Sequence, residues 1–331
     1  MYTHITFRER ERIGILRARG LHAPSIARRL GRDPTTIRRE LRRSRPFFLG
    51  YSAITAEKCA LKKRKIPRRI PKLTYAPLWN IVFTKLQIRW SPEQIAQYLK
   101  QRYPHDMRMQ VSHEAIYTYI YVLPRGALRA ELISYLRQGR RGRQRRKRDT
   151  DERGKIPNLI SIHERPKEVE DRTVPGHWES DLIIGKDHQS ALGTLVERTT
   201  RTTILVPLTR KDAQSVRKAF TRVVKRLPKE VCRSLTHDRG IEMYEHELFT
   251  KDTQVQVYFA DPQSPWQRGT NENTNGLIRD FFPKGTDFRT VSRGEIKRVQ
   301  RLLNERPREV LGWGTPKEAF RVLLEKRVVG G

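Results

Sequence analysis

The stretch HWESDLII, residues 177–184, decides the fold of the second half of this chain. It is an apolar run typical of a buried strand, yet it carries two acids, Glu179 and Asp181. Two similar runs follow, GTLVE at 193–197 and TILVP at 203–207, and the segments between them have the composition of turns. Three consecutive strands are therefore predicted, and together they require a sheet.

Beyond these strands the apolar pattern alternates between helix and strand. Helices are predicted at 212–227, 268–282 and 296–303, and strands at 232–236 and 255–259. A last helix is capped by Thr315. The order is three strands, a helix, two strands and closing helices, which predicts an α/β domain with a mixed sheet over residues 156–331.

Charge divides the chain into two unlike parts. The 331 residues carry a formal net charge of +33. Residues 1–150 hold 36 Lys and Arg against 10 Asp and Glu, whereas residues 151–331 hold 33 against 26. A strongly basic first half favours binding of nucleic acid over the alternative of a merely highly charged soluble protein.

Three short helices are predicted in residues 1–45. A capping box at Thr6 and Glu9 begins the first helix, and Asp33 caps the third. Two short helices joined by a turn at Gly31 predict a helix-turn-helix, with a generic basic bundle as the alternative. The core side of the first helix is predicted to contain Phe7, Ile13 and Leu16, with Ile15 as a further candidate. The side chains expected to contact DNA are Thr35, Thr36, Arg38, Arg39 and Arg42.

A second helix-turn-helix-like domain is predicted at 86–136, because Ser91 and Ser112 each cap an amphipathic helix. Its candidates for DNA contact are His113, Glu114, Tyr117 and Thr118, although the tyrosines of this helix could instead be packing residues. Residues 46–85 are predicted to be a basic connector. Residues 137–155 are predicted to be a basic linker, with eight Lys and Arg in RQGRRGRQRRKR, that tracks phosphates or is simply solvated.

Cysteine content and hydropathy indicate the cellular compartment in which the protein is expected. The two cysteines, Cys59 and Cys232, lie 173 positions apart, so neither a disulfide framework nor a paired-cysteine zinc site is expected. Nowhere do 18 apolar residues run together. We therefore expect a soluble protein in a reducing, intracellular compartment.

Three acids occupy positions suited to a metal site. Asp181 lies inside a strand, Asp238 directly follows the fourth strand, and Glu272 opens a helix. Carboxylates converging from separate elements bind Mg²⁺ or Mn²⁺, and two such ions can act on a phosphodiester. Spacing alone does not select these three, since other acids offer alternatives: Glu179, Asp187, Glu242 and Asp261.

Several stretches resemble one known family. They are GHWESDLIIG (176–185), THDRGIEM (236–243), SPWQRGTNENTNGLIRDFFPKGTDF (264–288) and LNERPREVLGWGTPKEAF (303–320). They closely resemble transposases of the IS30 insertion-sequence family, and the resemblance spans nearly the whole chain. It implies a multidomain protein in which all-α helix-turn-helix units precede an α/β RNase H-like catalytic domain.

The resemblance also implies an activity and its residues. Such transposases are DDE recombinases, and the matching acids are Asp181, Asp238 and Glu272, with 33 residues between the last two. Water frees a 3′-OH at the transposon end, and that 3′-OH attacks target DNA, with two Mg²⁺ or Mn²⁺ ions as cofactors. The implied partners are the terminal inverted repeats, target DNA and further protomers in a dimer or larger synaptic complex. The implied location is the bacterial cytoplasm, at the nucleoid.

Two other functions remain open. One is a DNA-binding repressor whose RNase H-like domain is an inactive scaffold, and the other is a structure-specific RNase H-like nuclease that cleaves without joining.

Some residues near the acids have predicted roles of their own. Those expected to contact DNA beside Glu272 are Arg268, Asn271, Asn275 and Arg279. Trp266 either stacks on a base or is buried, whereas Trp178 is expected in the core. His237 could tune metal affinity, but a structural role is the favoured interpretation.

Overall fold

The computed structural model describes residues 4–43, 50–65, 72–136 and 156–328. The chain divides into two compact units, residues 1–74 and 75–331. The predicted linker at 137–155 lies outside the described residues. In the described ranges, no helix combines the length and apolar character needed to cross a membrane.

The first unit is a small helical bundle. Its helices are α1 (Phe7–Ala18), α2 (Ala23–Leu30), α3 (Pro34–Arg43) and α4 (Ala53–Lys65). The capping box is present, since Glu9 N donates to Thr6 Oγ1 at 3.3 Å and Thr6 N donates to Glu9 Oε2 at 2.7 Å. Gly31 ends α2 with φ of 60°, a left-handed conformation that glycine adopts without strain and that makes the turn to α3.

The core of this unit differs from the prediction for α1. Ile13 is fully buried as expected, but Phe7 and Ile15 are 42% and 55% exposed, so their predicted inward orientation is wrong. Arg10 takes the inward position instead and pairs at 2.7 Å with Glu40 and at 2.6 Å with Glu57. Arg10 is buried because two carboxylates pair with it. The periodicity of apolar residues cannot predict a charged residue at a core position.

The second unit begins with four more helices. They are α5 (Ala76–Gln87), α6 (Pro92–Arg102), α7 (His113–Val122) and α8 (Ala127–Tyr135). Ser91 caps α6 and Ser112 caps α7, as predicted. Residues 46–85, predicted as a basic connector, contain α4 and most of α5. Helix α6 contacts the segment around Pro307, where Gln94 Nε2 donates to the Pro307 carbonyl at 3.0 Å.

The remainder of this unit is built on one five-stranded sheet. Its elements are β1 (His177–Ile184), β2 (Ala191–Glu197), β3 (Thr203–Pro207), α9 (Ala213–Val224), β4 (Ser234–His237), α10 (His246–Thr253), β5 (Gln256–Phe259), α11 (Gly269–Ile278), α12 (Arg293–Asn304) and α13 (Pro316–Val328). The spatial order is β3-β2-β1-β4-β5. The first three strands pair antiparallel, and β4 and β5 add to β1 in parallel, so the predicted mixed sheet is confirmed.

In the sheet-containing part, the structure adds a helix, α10, that the sequence pattern does not predict. Strands β4 and β5 are parallel, and a parallel pair needs a crossover connection. Helix α10 supplies it, packing Phe249 into the core. The prediction of two strands in direct succession was therefore wrong, because the short segment HELFTKDT is mostly polar and has weak apolar periodicity.

Helices cover both faces of the sheet. One core contains Phe220 of α9, Phe249 of α10 and Trp178 of β1. The other contains Leu277 and Ile278 of α11 together with α12 side chains. Helix α11 therefore lies against β1 and β2 on one face, which brings its first turn close to the acid-bearing strand.

Candidate active site

Asp181 is a partly buried carboxylate on β1, and its side chain is 24% exposed. Its Oδ1 accepts from the Leu182 N–H and its Oδ2 accepts from Asn275 Nδ2, both at 2.8 Å. Burial raises the pKa of Asp181, and the charge of Asp238 raises it further, whereas Arg268 lowers it. Positive charge near Asp181, such as that of Arg268, therefore favours the ionised carboxylate.

Asp238 lies beside Asp181 because β1 and β4 pair in parallel, with Glu179 opposite Thr236. Two residues farther along each segment, Asp181 lies within β1 and Asp238 lies just past the end of β4. Asp238 Oδ1 accepts from the Gly240 N–H at 3.2 Å. This is the convergence that the sequence predicts for these two acids.

Arg268 connects the two aspartates. Its Nη1 lies 3.7 Å from Asp181 Oδ2, and its Nη2 donates to Asp238 Oδ2 at 3.1 Å. Nη1 also donates to the Ser180 carbonyl at 2.9 Å, which orients the guanidinium. The charge of Arg268 thus neutralises part of the negative charge of the pair.

Glu272 lies in the first turn of α11, exposed to solvent. Among the described residues, no hydrogen bond or ion pair is formed by its carboxylate, so only the backbone of α11 sets its position. The three acids Asp181, Asp238 and Glu272 do not form a group with ligand atoms within 4.8 Å of one another. In the described part of the chain, the group that does is His237, Asp238 and Glu242.

His237 is a fully buried side chain between strand and loop. Its Nδ1 hydrogen-bonds with Ser180 Oγ at 2.8 Å, and its Nε2 lies 3.3 Å from Asp238 Oδ1 and 3.6 Å from Glu242 Oε1. Burial lowers the pKa of His237, but Glu242 and Asp238 outweigh it, so the pKa is raised. Burial raises the pKa of Glu242, but the interaction with His237 outweighs this effect and lowers the pKa to about 2. His237 therefore lies as a buried side chain beside both Asp238 and Glu242.

The predicted DNA contacts on and before α11 all have partners inside the protein. Asn271 is fully buried, which corrects its predicted contact with DNA. Asn275 faces Asp181, and Arg268 faces both aspartates. Arg279 donates to the carbonyls of Ile184, Phe282 and Pro283. Helical spacing correctly places these residues near Glu272. It could not predict that β1 packs against them and supplies hydrogen-bond partners for Arg268, Asn275 and Arg279.

Trp266 lies on the surface next to these residues. It is 70% exposed, so the alternative of a core position is wrong. Trp178 is buried, as expected, and donates from Nε1 to the Val231 carbonyl at 2.7 Å.

The predicted DNA face of the first unit is accessible. Thr35, Arg38, Arg39 and Arg42 are exposed on α3, and Thr36 is half-buried. Asp33 accepts from the Thr35 N–H at 2.7 Å and so caps α3, as predicted. In the second unit, the candidate residues of α7 are likewise exposed: His113, Glu114, Tyr117 and Thr118.

Comparison with known families matches both parts of the chain. A helix-turn-helix domain family matches residues 1–44, and an integrase core domain family matches residues 171–265. A DNA-binding helix-turn-helix followed by an integrase core defines the class of protein, a DDE-type transposase.

Individual relatives place the chain within that class. It is 45% identical to the transposase for insertion sequence element IS1086 of Cupriavidus metallidurans, over 98% of this chain and 96% of the relative. It is 42% identical to transposase InsI for insertion sequence element IS30A of Escherichia coli, over 95% of this chain and 82% of the relative. It is 35% identical to the transposase for insertion sequence element IS4351 of Bacteroides fragilis, over 99% of both. The chain belongs to the IS30 family of insertion-sequence transposases.

Proposed function

We propose that Asp181, Asp238 and Glu272 are the catalytic, metal-holding acids of this transposase. The observation that carries the proposal is the shared guanidinium of Arg268, which contacts both aspartates. Two carboxylates this close repel each other unless a cation lies between them. Their oxygen donors fit a hard divalent cation, and Glu272 on the adjoining helix would complete the set.

The reaction proposed is phosphodiester cleavage at a transposon end, followed by transfer of the freed 3′-OH to target DNA. Two bound divalent ions, Mg²⁺ or Mn²⁺, would activate the attacking oxygen and stabilise the leaving one. The chain itself needs no nucleophilic side chain. Asn275 and the Leu182 N–H donate to the Asp181 carboxylate. The Gly240 N–H donates to Asp238, and His237 lies beside it.

The DNA partners proposed are the terminal inverted repeats, bound by α3 of the first unit and by α7, together with target DNA. Because two ends must be joined, at least two copies of the chain are required, as a dimer or a larger synaptic complex.

The test is a single-turnover assay with purified protein, Mg²⁺ or Mn²⁺, and a labelled duplex that carries the element's own end. Wild type should expose a 3′-OH and yield joined products, and Asp181→Asn, Asp238→Asn and Glu272→Gln should each abolish both. Asp187→Asn is the matched control, because Asp187 is an exposed acid of the same domain.

Other outcomes lead to other functions. Tight end binding without chemistry in wild type would favour the repressor, and cleavage without joining would favour the nuclease. Cleavage that survives Glu272→Gln would remove Glu272 from the proposed site.

A further inference from the structure

The helix that carries Glu272 begins without a side-chain cap from its own segment, although the Gly269 N–H donates to the Trp266 carbonyl. In the part of the chain that the structure describes, the residue before α11, Arg268, makes no side-chain capping bond. The first N–H groups of a helix need acceptors, and a buried helix start without them is costly. The start of α11 is buried, since Thr270 and Asn271 are 4% and 0% exposed.

The missing acceptor comes from the neighbouring strand. Glu179 Oε2 accepts from the Asn271 N–H at 2.8 Å. Asn271 is the third residue of α11, the position that an N-cap side chain ordinarily serves. The negative charge of Glu179 also lies at the positive end of the helix dipole.

A buried arginine neutralises this carboxylate. Arg198 Nη1 lies 3.3 Å from Glu179 Oε1, and the two side chains are 4% and 0% exposed. Burial lowers the pKa of Arg198, and Glu179 opposes that effect. Because Glu179 is enclosed and paired in this way, it is not available to bind a metal, which separates its role from that of Asp181 on the same face of β1.

Further contacts fasten the same turn to the sheet. Thr194 Oγ1 of β2 lies 3.1 Å from Asn271 Oδ1, and Arg201 Nη1 donates to Thr270 Oγ1 at 2.6 Å. Glu272 is the next residue of the helix, and its side chain forms no hydrogen bond or ion pair with the residues that the structure describes. The place of its carboxylate relative to Asp181 thus depends on how this turn is attached to β1.

We propose that Glu179 is a positioning residue that caps α11 from β1 and thereby places the Glu272 carboxylate for metal binding. One strand then performs two tasks, Asp181 holding metal and Glu179 holding the helix that brings the third acid. The inference rests on the proposed role of Glu272.

The test compares two double variants of the full-length protein that both remove the buried charge pair. Glu179→Gln with Arg198→Met keeps an oxygen that can accept from Asn271, and Glu179→Leu with Arg198→Met does not. In the leucine variant, we expect faster hydrogen exchange of the amides of α11's first turn. We also expect a higher metal concentration for half-maximal cleavage and a rate about 10- to 100-fold lower, because small misplacements of catalytic groups have effects of that size. The glutamine variant should stay much closer to wild type.

A second pair of variants tests the same hydrogen bond by changing its donor, the Asn271 N–H. Asn271→Ala keeps the N–H, whereas Asn271→Pro removes it, and proline is tolerated in the first turn of a helix. The proline variant should cleave more slowly than the alanine variant and need more metal.

Equal amide exchange and equal metal dependence within each pair would overturn the inference. Amide exchange in the absence of metal reports the cap without any chemistry. A failure of the proposed active site would instead be seen as full activity in Glu272→Gln, whatever the exchange rates.

Discussion

At the scale of single residues, Arg268 has the most informative contacts in the candidate site. It is 15% exposed and touches two carboxylates that the proposed function assigns to metal ions. An arginine in this position stabilises the pair without metal, and it also competes electrostatically with an incoming cation.

Replacing Arg268 with glutamine is therefore expected to tighten binding of divalent metal. An ion pair of this exposure is worth on the order of 1 kcal/mol, so the half-saturating metal concentration should fall several-fold. The measurement is the rise in melting temperature with added Mn²⁺. Arg239→Gln is the control, since Arg239 pairs with Asp261 and not with these aspartates. Unchanged or weaker metal binding in Arg268→Gln would show that the guanidinium does not compete.

At the scale of elements, the fold depends on close packing between helices and strands. Gly193 of β2 shows this clearly, because a Cβ there would lie 2.5 Å from the Phe220 ring of α9 and 3.3 Å from Val206. The absence of a side chain at Gly193 lets α9 approach the sheet.

Gly193→Ala is accordingly expected to lower the free energy of unfolding by about 1–3 kcal/mol, the usual cost of overpacking a core. Urea denaturation measures this. Gly269→Ala serves as the control, because nothing lies within 4 Å of its added Cβ. Shortening the ring by Phe220→Leu should reduce the penalty of Gly193→Ala, and purely additive effects of the two changes would argue against the contact.

The start of α1 is a second element whose contribution to stability is expected to depend on pH. Glu9 accepts from the Thr6 N–H and pairs with Arg32 at 2.8 Å. Arg32 lowers the pKa of Glu9 to about 2 from an ordinary 4.5, against a smaller opposing effect of burial. A lowered pKa stabilises the folded state above pH 4.5, and the contribution disappears as the pH falls towards 2.

Glu9→Gln should therefore destabilise the first unit by about 1–2 kcal/mol at pH 7, after allowance for solvent screening. The difference from wild type should shrink as the pH falls below 4.5. Hydrogen exchange of the α1 amides across this range is the measurement, and Glu11→Gln, at an exposed neighbouring acid, is the control. A loss of equal size at pH 2 and pH 7 would contradict the ion-pair explanation.

At the scale of the whole molecule, DNA binding and catalysis lie in different parts of the chain. The helix-turn-helix of residues 1–44 carries exposed arginines on α3, and the part that matches the integrase core, residues 171–265, carries Asp181 and Asp238. Effects on end recognition and on phosphodiester chemistry should accordingly be separable by mutation.

Arg38→Ala and Arg39→Ala are expected to weaken footprints at the transposon ends while leaving metal-dependent nicking of nonspecific DNA intact. If each arginine contacts a phosphate, the slope of log affinity against log salt should fall by about 1 per substitution. Arg12→Ala, at an exposed arginine of α1, is the control. End binding that is unaffected by both substitutions would exclude α3 from recognition.

Local features of the chain were determined by sequence alone. The bounds of β1 and β3, the caps at Thr6, Asp33, Ser91 and Ser112, and the order of the first three strands all follow from side chains close together in sequence. Caps and apolar alternation act over a few residues, so a linear pattern contains them completely. The family resemblance selected Asp181, Asp238 and Glu272 as the predicted acids, a choice that spacing left open among several candidates.

Tertiary structure alone decided which polar groups meet. Helix α10 exists because two parallel strands need a crossover, and Arg10 replaces Phe7 in the core because Glu40 and Glu57 are there to pair with it. Likewise, Glu179 and Asp181 lie on the same face of β1 but have different surroundings, and those of Glu179 are Arg198 and the start of α11. Whether a buried charge binds a metal, caps a helix or pairs with an arginine depends on partners distant in sequence, and only folding brings those partners together.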